Sequence, residues 1–391
     1  MAHYSNDRLQ NTAFGATLIV MVTTSAVTLD PEHALPNAFY RDPVVHAAEM
    51  DGIWHTDWVF VTTEDAVAAP GDQLPVIVGD QPVLLLRSQE GELRALSNLC
   101  AHRGTLLVER PAKAKRIQCP YHAWTYNDSG RLLATPFTSK DDVDKPAHCL
   151  PEYRVESWHG LVFVSLDPEV EPLAERFAAV EPHVAVRGID ELHHYSDYQE
   201  TQQWDCNWKL AIVNAMESYH LFQVHPKTLE PHTPTRDAYY ITGSARATAT
   251  GGRVEGADDY LLISLPPSFV GVFSAGGFYW QAVHPIGAHR CAVRTGGAFA
   301  SSGGTGSRNT GSRGRFSRWL ARFGSGAAGY SLPDFLPEDK AICERGQRGA
   351  SGDFSPGRLV PAERVVADFG HYLNWRLNNI EPPGVHTEAD Q

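Results

Sequence analysis

The chain has 391 residues, which at roughly 150 residues per domain makes two or three compact units; a chain this long buries enough surface to need no disulfide scaffold. Lys and Arg number 33 against 46 Asp and Glu, a net charge of −13 that excludes a polyanion such as nucleic acid as the main partner and favours a basic protein. An apolar fraction of 42% with 10% aromatics is that of an ordinary globular chain. The six cysteines, at 100, 119, 149, 206, 291 and 343, are too few and too scattered for a secreted disulfide framework, so a cytoplasmic protein is expected.

The first apolar run, residues 13–27, is interrupted by Thr17, Thr23, Thr24 and Ser25. It falls short of the ~20 residues of a spanning helix, so no membrane segment is expected. Arg8, offset by Asp7, is a poor flank for a signal peptide. Residues 1–35 are expected to be a disordered extension, or one created by a start placed ahead of Met21.

Short apolar runs follow at 58–62, 74–78, 81–87, 93–98, 123–127 and 160–166, separated by Gly79-Asp80, Glu90-Gly91 and Ser129-Gly130. Runs of this length between such turns predict a small antiparallel β domain, placed at 40–168. A second domain, 169–385, begins with a long strand candidate at 193–203 and a helix over 207–222, then strands at 239–248, 269–275, 277–284 and 291–300. Helices are expected near 337–346 and over 361–378, the latter with Ala362, Val365, Val366, Phe369, Tyr372 and Leu373 on one packing stripe. Residues 301–328, rich in Gly and Ser and carrying Arg308, Arg313, Arg315, Arg318 and Arg322, are expected to be a loop, read as a solvated insertion or else a lid or docking patch for an acidic electron donor.

Cys100-Ala101-His102-Arg103-Gly104 is followed by Cys119-Pro120-Tyr121-His122. Two thiolates and two imidazoles can hold zinc, or a cluster in which His₂ serves one iron and Cys₂ the other. Zinc sites usually group Cys with Cys and His with His, whereas here each loop carries one of each. The interleaved pattern, with Trp124 after the second histidine, resembles the Rieske [2Fe-2S] signature C-x-H-R-G followed by C-x-x-H. That resemblance implies Cys100 and Cys119 on one iron and His102 and His122 on the other. Cys149, Cys206, Cys291 and Cys343 have no partner at ligand spacing and read as small buried hydrophobes.

Further on stand Asn207-Trp208-Lys209, Glu217 and His220 at i and i+3 on the expected helix, and His225 ahead of Pro226. Two histidines and a carboxylate with open positions are the pattern of non-haem Fe(II) oxygenases. The whole arrangement, over residues 40–380, resembles the α subunit of Rieske non-haem iron oxygenases. The resemblance implies an α+β fold: an N-terminal Rieske antiparallel β domain and a C-terminal helix-grip catalytic domain, a curved antiparallel sheet with long helices. His220 and His225 then become ligands of a mononuclear Fe(II), and Glu217 corresponds to the carboxylate linking a Rieske histidine to an iron-bound one. That residue is most often Asp in the family; Glu points to relatives acting on carnitine-like quaternary amines. The family also implies a homotrimer, in which the short route between metals crosses to a neighbour, and a separate ferredoxin or flavin reductase as electron donor.

For the third ligand the C-terminal third offers Asp334, Glu338, Asp339, Glu344, Asp353, Glu363 and Asp368. Phe335, Asp339, Ile342, Cys343 and Gly346 share one largely apolar helical stripe, while Glu338, Lys340, Glu344, Gln347 and Arg348 are expected to point away. A carboxylate on an inward face is costly unless paired or bound to metal, so Asp339 is the expected ligand; the alternative is a carboxylate complementing the helix dipole. The segment from Glu338 to Gly349 resembles that of choline-monooxygenase and carnitine-oxygenase relatives. Phe222, Phe269, Phe273, Phe278, Tyr279 and Trp280 are candidates for an aromatic substrate pocket, although aromatic residues on strands more often build core. The expected reaction is O₂-dependent hydroxylation or oxidative demethylation of a small nitrogen-containing compound. Hydroxylation of an aromatic acid, oxygenation of an amine nitrogen and a pure electron-transfer role are the alternatives.

Overall fold

A computed structural model describes residues 28–195, 199–254, 258–274, 277–299 and 335–387. The N-terminal half is built from β1 (Val59–Thr63), β2 (Asp72–Val78), β3 (Gln81–Arg87), β4 (Leu93–Ser97), β5 (Ala112–Lys113), β6 (Ile117–Gln118), β7 (Thr125–Tyr126), β8 (Leu132–Ala134), β9 (Glu152–Trp158) and β10 (Leu161–Ser165). Seven of these form an antiparallel sheet in the order β1-β10-β9-β4-β3-β2-β5, and β6-β7-β8 form a second, small one. The β2–β3 hairpin turns through Gly79-Asp80, where Gly79 takes φ +62°, a left-handed conformation that favours glycine.

The second half is one curved antiparallel sheet of β11 (His193–His194), β12 (Glu200–Trp204), β13 (Ala238–Gly243), β14 (Thr248–Gly252), β15 (Tyr260–Leu265), β16 (Phe269–Ser274), β17 (Gly277–Gly287), β18 (Arg290–Phe299) and β19 (His386–Thr387). Helix α1 (Pro43–Glu49) precedes the first sheet; α2 (Trp208–Met216), α3 (Leu221–Val224), α4 (Leu336–Gly349) and α5 (Arg364–Asn378) belong to the second half, with α2 lying against β15 to β18. This is the α+β, helix-grip arrangement expected from the sequence.

Several boundaries differ from expectation for physical reasons. The single strand expected at 239–248 is the β13–β14 hairpin, because Ser244 turns the chain, its Oγ accepting the Arg246 N–H at 3.1 Å. Strand β15 was not foreseen: it is buried on both faces, so it lacks the alternation that marks a half-exposed strand. The run 193–203 divides into β11 and β12, both paired to β18. The stripe on α5 packs inward from Val365 on, with Val365, Phe369, Tyr372 and Leu373 buried and Val366 half-buried, but Ala362 is exposed because the α-helix starts only at Arg364, after a 3-10 turn. Residues 28–35, counted with the N-terminal extension from sequence, are ordered: the Asn374 side chain brackets Leu29, accepting its N–H and donating to its carbonyl, both at 2.9 Å. The rest of that extension and the loop 301–328 lie outside the described residues.

Asn207-Trp208-Lys209 joins the two halves. Asn207 caps α2 by accepting the Lys209 N–H at 3.0 Å. Glu49, at the end of α1, takes the Trp208 indole N–H at 2.8 Å and the Lys209 ammonium at 2.6 Å. Both charges of this pair are 0% exposed, so removing either one strands the other in the core. The cysteines are less isolated than the sequence reading had it: Cys206 Sγ lies 3.9 Å from Cys291 Sγ, and the buried Cys343 donates to the Leu210 carbonyl at 3.5 Å. Their neighbourhood comes from α2, β18 and α4 packing together, which no local spacing reveals.

Candidate active site and metal centres

The two Cys-His loops fold as matching tight turns. Cys100 N–H donates to Thr105 and its carbonyl accepts from Gly104, both at 2.9 Å; Cys119 N–H donates to Trp124 at 2.8 Å and its carbonyl accepts from Ala123 at 3.0 Å. Cys100 and Cys119 are buried, at 3% and 2% exposure. The His102 and His122 rings stand with centroids 4.8 Å apart, His102 stacked on Trp124 at 4.6 Å. Burial pushes the Cys100 thiol up, while the Tyr126 hydroxyl 3.3 Å from its sulfur favours the thiolate. The buried Nδ1 of His122 has no hydrogen-bond partner. An orphaned buried ring nitrogen in the same turn as Cys119 is costly as it stands and fits a [2Fe-2S] cluster of the His₂Cys₂ kind.

The second centre begins where α2 ends. The expected helix over 207–222 stops at Met216, since Glu217 is extended (φ −122°, ψ 162°) and its carboxylate caps the following turn, taking the Tyr219 and His220 N–H groups. Glu217 and His220 therefore do not meet as i and i+3 neighbours on a helix. They meet through that cap, with Glu217 Oε1 2.5 Å from His220 Nδ1. Helix α3 then runs from His220 to His225 at its two ends, which turns both imidazoles toward one point.

Asp339 reaches the same point from the first turn of α4. Its Oδ1 lies 2.9 Å from His225 Nε2 and 3.5 Å from His220 Nε2, and the two Nε2 atoms are 3.2 Å apart. His225 is fully buried and Asp339 8% exposed. Glu338, expected to point away, instead accepts from His225 Nδ1 at 2.7 Å and from the Thr228 hydroxyl at 2.6 Å. With both Nδ1 atoms donating to carboxylates, two Nε2 lone pairs and a carboxylate oxygen converge; the Asn214 amide, 3.2 Å from His220 Nε2, can donate to one of them, and a cation or a proton relieves the rest. Burial opposes a charge on His220, yet Asp339 and Glu217 outweigh it and push its pKa up to about 9. Burial likewise opposes the Asp339 carboxylate, and the two imidazoles override it and hold its pKa below the usual value. The ligand atoms of His220, His225 and Asp339 all lie within 4.8 Å of one another, and the donor set suits Fe(II).

These groups open on a cavity of about 180 Å³ between α2, α3, α4 and the concave face of the sheet. Its walls include Tyr260, Leu262, Val270, Val272, Tyr279 and Phe335. Of the six aromatics named from sequence, Tyr279 and Trp280 touch it, but the Trp280 ring packs with Phe269, Phe273 and Phe278 in a buried core cluster, and Phe222 is exposed. The Trp280 ring lies across Gly296 so closely that a Cβ there would run into the indole. Tyr260, whose hydroxyl is 2.9 Å from Ser218 Oγ, stands on the strand that sequence alternation does not mark, and the apolar stripe of α4 by itself turns Glu338 away from the site. The signal available for Glu338 was chemical: a ligating histidine needs a partner on its other nitrogen.

Residues 57–156 match the Rieske [2Fe-2S] domain and residues 189–379 the ring hydroxylating alpha subunit catalytic domain. The chain thus carries a Rieske [2Fe-2S] domain followed by a ring hydroxylating alpha subunit catalytic domain, the first of the kind that holds the cluster and the second of the kind that holds mononuclear iron. It is 35% identical over 199 residues to the glycine betaine monooxygenase oxygenase subunit of Chromohalobacter salexigens, covering 51% of this chain and 44% of the relative. Against the carnitine monooxygenase oxygenase subunit of Acinetobacter baumannii it is 29% identical over 201 residues, covering 50% and 54%. The chain thus spans about half the length of the curated relatives it matches. In fold it is similar to a quaternary ammonium Rieske monooxygenase in complex with L-carnitine, at TM-score 0.73 and 22% identity over 88% of this chain and 96% of that one. It is also similar to naphthalene 1,2-dioxygenase, at TM-score 0.73 and 19% identity over 90% and 94%. Among the described residues no helix is long and apolar enough to cross a membrane.

Proposed function

We propose that this protein is the oxygenase component of a Rieske monooxygenase that uses O₂ and electrons from a separate reductase to hydroxylate or oxidatively demethylate a small quaternary ammonium compound. The observation that carries the reading is the convergence of His220, His225 and Asp339 at the wall of a largely apolar cavity, in a chain that also carries a Cys₂His₂ cluster set. His220, His225 and Asp339 would hold an iron that would supply reductive activation of O₂.

The chain's own residues do the rest. Glu217 ties His220 Nδ1 to the surface side of the site, with 10% of its side chain exposed, and so offers the last protein link for electrons arriving from a Rieske histidine of a neighbouring subunit in a homotrimer. Leu262, Val270, Val272 and Leu336 keep water from the reacting face, and the Tyr260 and Tyr279 rings offer π faces to a methylated cation. Among the described lining residues, Glu217 and Asp339 are the carboxylates and no Lys or Arg is present. That polarity favours a cationic or zwitterionic amine over an aromatic acid. The cavity volume is that of about six waters at ~30 Å³ each, which suits a compact amine.

The test is a screen of betaine, carnitine and other methylated amines against benzoate and anthranilate, with a generic reductase, scoring substrate-dependent O₂ uptake and product mass. Gain of one oxygen or release of formaldehyde from an amine supports the reading. Turnover of the aromatic acids alone contradicts it.

A further inference from the structure

The sequence of α4 places two carboxylates side by side, and the structure uses them on opposite edges of one imidazole. Asp339 faces His225 Nε2 at 2.9 Å, and Glu338 faces His225 Nδ1 at 2.7 Å. The ring between them is fully buried, so its orientation is set by these contacts and by packing against Phe335, 6.0 Å away between centroids. Thr228, three residues beyond His225, donates its hydroxyl to the same Glu338 oxygen at 2.6 Å. Glu338 is thus held from two sides although its side chain is 34% exposed, and an exposed glutamate with no task would keep its rotamer freedom.

We infer that Glu338, steadied by Thr228, is a positioning residue for the mononuclear iron: it holds His225 in the tautomer that leaves Nε2 free to ligate, and its charge strengthens that nitrogen as a donor. The inference rests on the oxygenase reading above, because it gives His225 a metal to bind. A neutral imidazole carries one N–H. If Glu338 accepts it at Nδ1, the Nε2 lone pair points at Asp339 and His220. If Glu338 is removed, the proton is free to move to Nε2 and hydrogen-bond Asp339, which closes the site against a cation. Glu217 stands in the same relation to His220, so each histidine of the site is backed by its own carboxylate. The two differ in what else they hold: Glu217 also caps a backbone turn, whereas Glu338 is free of backbone duties and its replacement leaves the chain path intact.

The experiment is a titration of iron-depleted, cluster-containing protein with Fe(II), read by bound iron and by the electron paramagnetic resonance of the Fe(II)–nitric oxide adduct, for wild type and the variants Glu338→Ala, Glu338→Gln and Thr228→Val. Rieske absorbance and thermal unfolding serve as fold controls. Loss of an outer partner of a metal-bound histidine costs on the order of 10–100-fold in metal affinity. Glu338→Ala is expected to fall in that range with an altered adduct signal. Glu338→Gln, which keeps an acceptor at Nδ1 and loses the charge, should weaken binding less and restore the signal, and Thr228→Val should weaken it least. Wild-type affinity and an unchanged signal in Glu338→Ala would overturn the inference while leaving the oxygenase reading in place. A wild-type protein that takes up no iron beyond its cluster would instead overturn the oxygenase reading itself.

Discussion

The two candidate metal centres are built in opposite ways. At the Rieske end the thiols are buried and His102 is exposed, so the imidazole edge faces outward. At the other end His225 has no exposure, Asp339 almost none, and the donor atoms turn inward to a cavity. The difference in burial is what the proposed division of labour requires, since a relay presents its redox edge to partners while a site that activates O₂ keeps water out. The construction differs too: the first centre comes from two turns within one small domain, the second from the end of α2, both ends of α3 and the first turn of α4.

The comparison is broken most sharply at the inner ligands. His225→Ala or Asp339→Ala should abolish substrate oxidation while the Rieske absorbance stays, and Cys100→Ala should do the reverse to the absorbance; loss of the cluster spectrum in His225→Ala would mean that the two centres are not separate. Next in size is the joint between the halves. Lys209→Met leaves the Glu49 carboxylate buried without its partner and should cost about 3–5 kcal/mol, measured by denaturant unfolding; a change within error would mean that the pair contributes nothing to docking α1 on α2.

Away from both centres, burial pushes the Asp368 carboxyl up to about 6, with Tyr240 donating to it at 2.8 Å and Arg364 and His386 partly offsetting the burial. Its folded pKa lies above the unfolded value of 3.8, so the folded state holds the proton longer and stability falls as pH rises from about 4 to about 6. Asp368→Asn should remove that loss and raise stability at pH 7–8 by roughly 3 kcal/mol; a variant no more stable than wild type at pH 8 would contradict the assignment. The smallest effect is kinetic. Glu217→Gln should leave both metals bound and slow electron transfer from cluster to iron by about 10–100-fold in single-turnover experiments, and unchanged rates would remove Glu217 from the route.

How far the sequence could be read follows the same division. The candidate cluster residues are legible because two Cys-His turns lie within 23 residues, from Cys100 to His122, and local spacing is what a sequence displays. His220 and His225 are legible for the same reason. Asp339 is found only by asking why a carboxylate occupies an apolar stripe, and the same stripe misplaces Glu338, since His225 sits at the edge of that face and reaches around it. Glu217 reaches its partner by a cap that ends the helix, a competition between side chain and backbone that periodicity does not register. Strand β15, buried on both faces, and the Cys206–Cys291 neighbourhood depend on which elements pack together, and that information is spread along the chain.

The most direct measurement is the iron and acid-labile sulfide content of the purified protein, with and without the His225→Ala substitution. The account predicts three irons and two sulfides per chain in the wild type, as one [2Fe-2S] cluster and one mononuclear site require, and two irons with two sulfides in the variant. Equal iron in both proteins, or zinc in place of iron at the Cys-His loops, would contradict it.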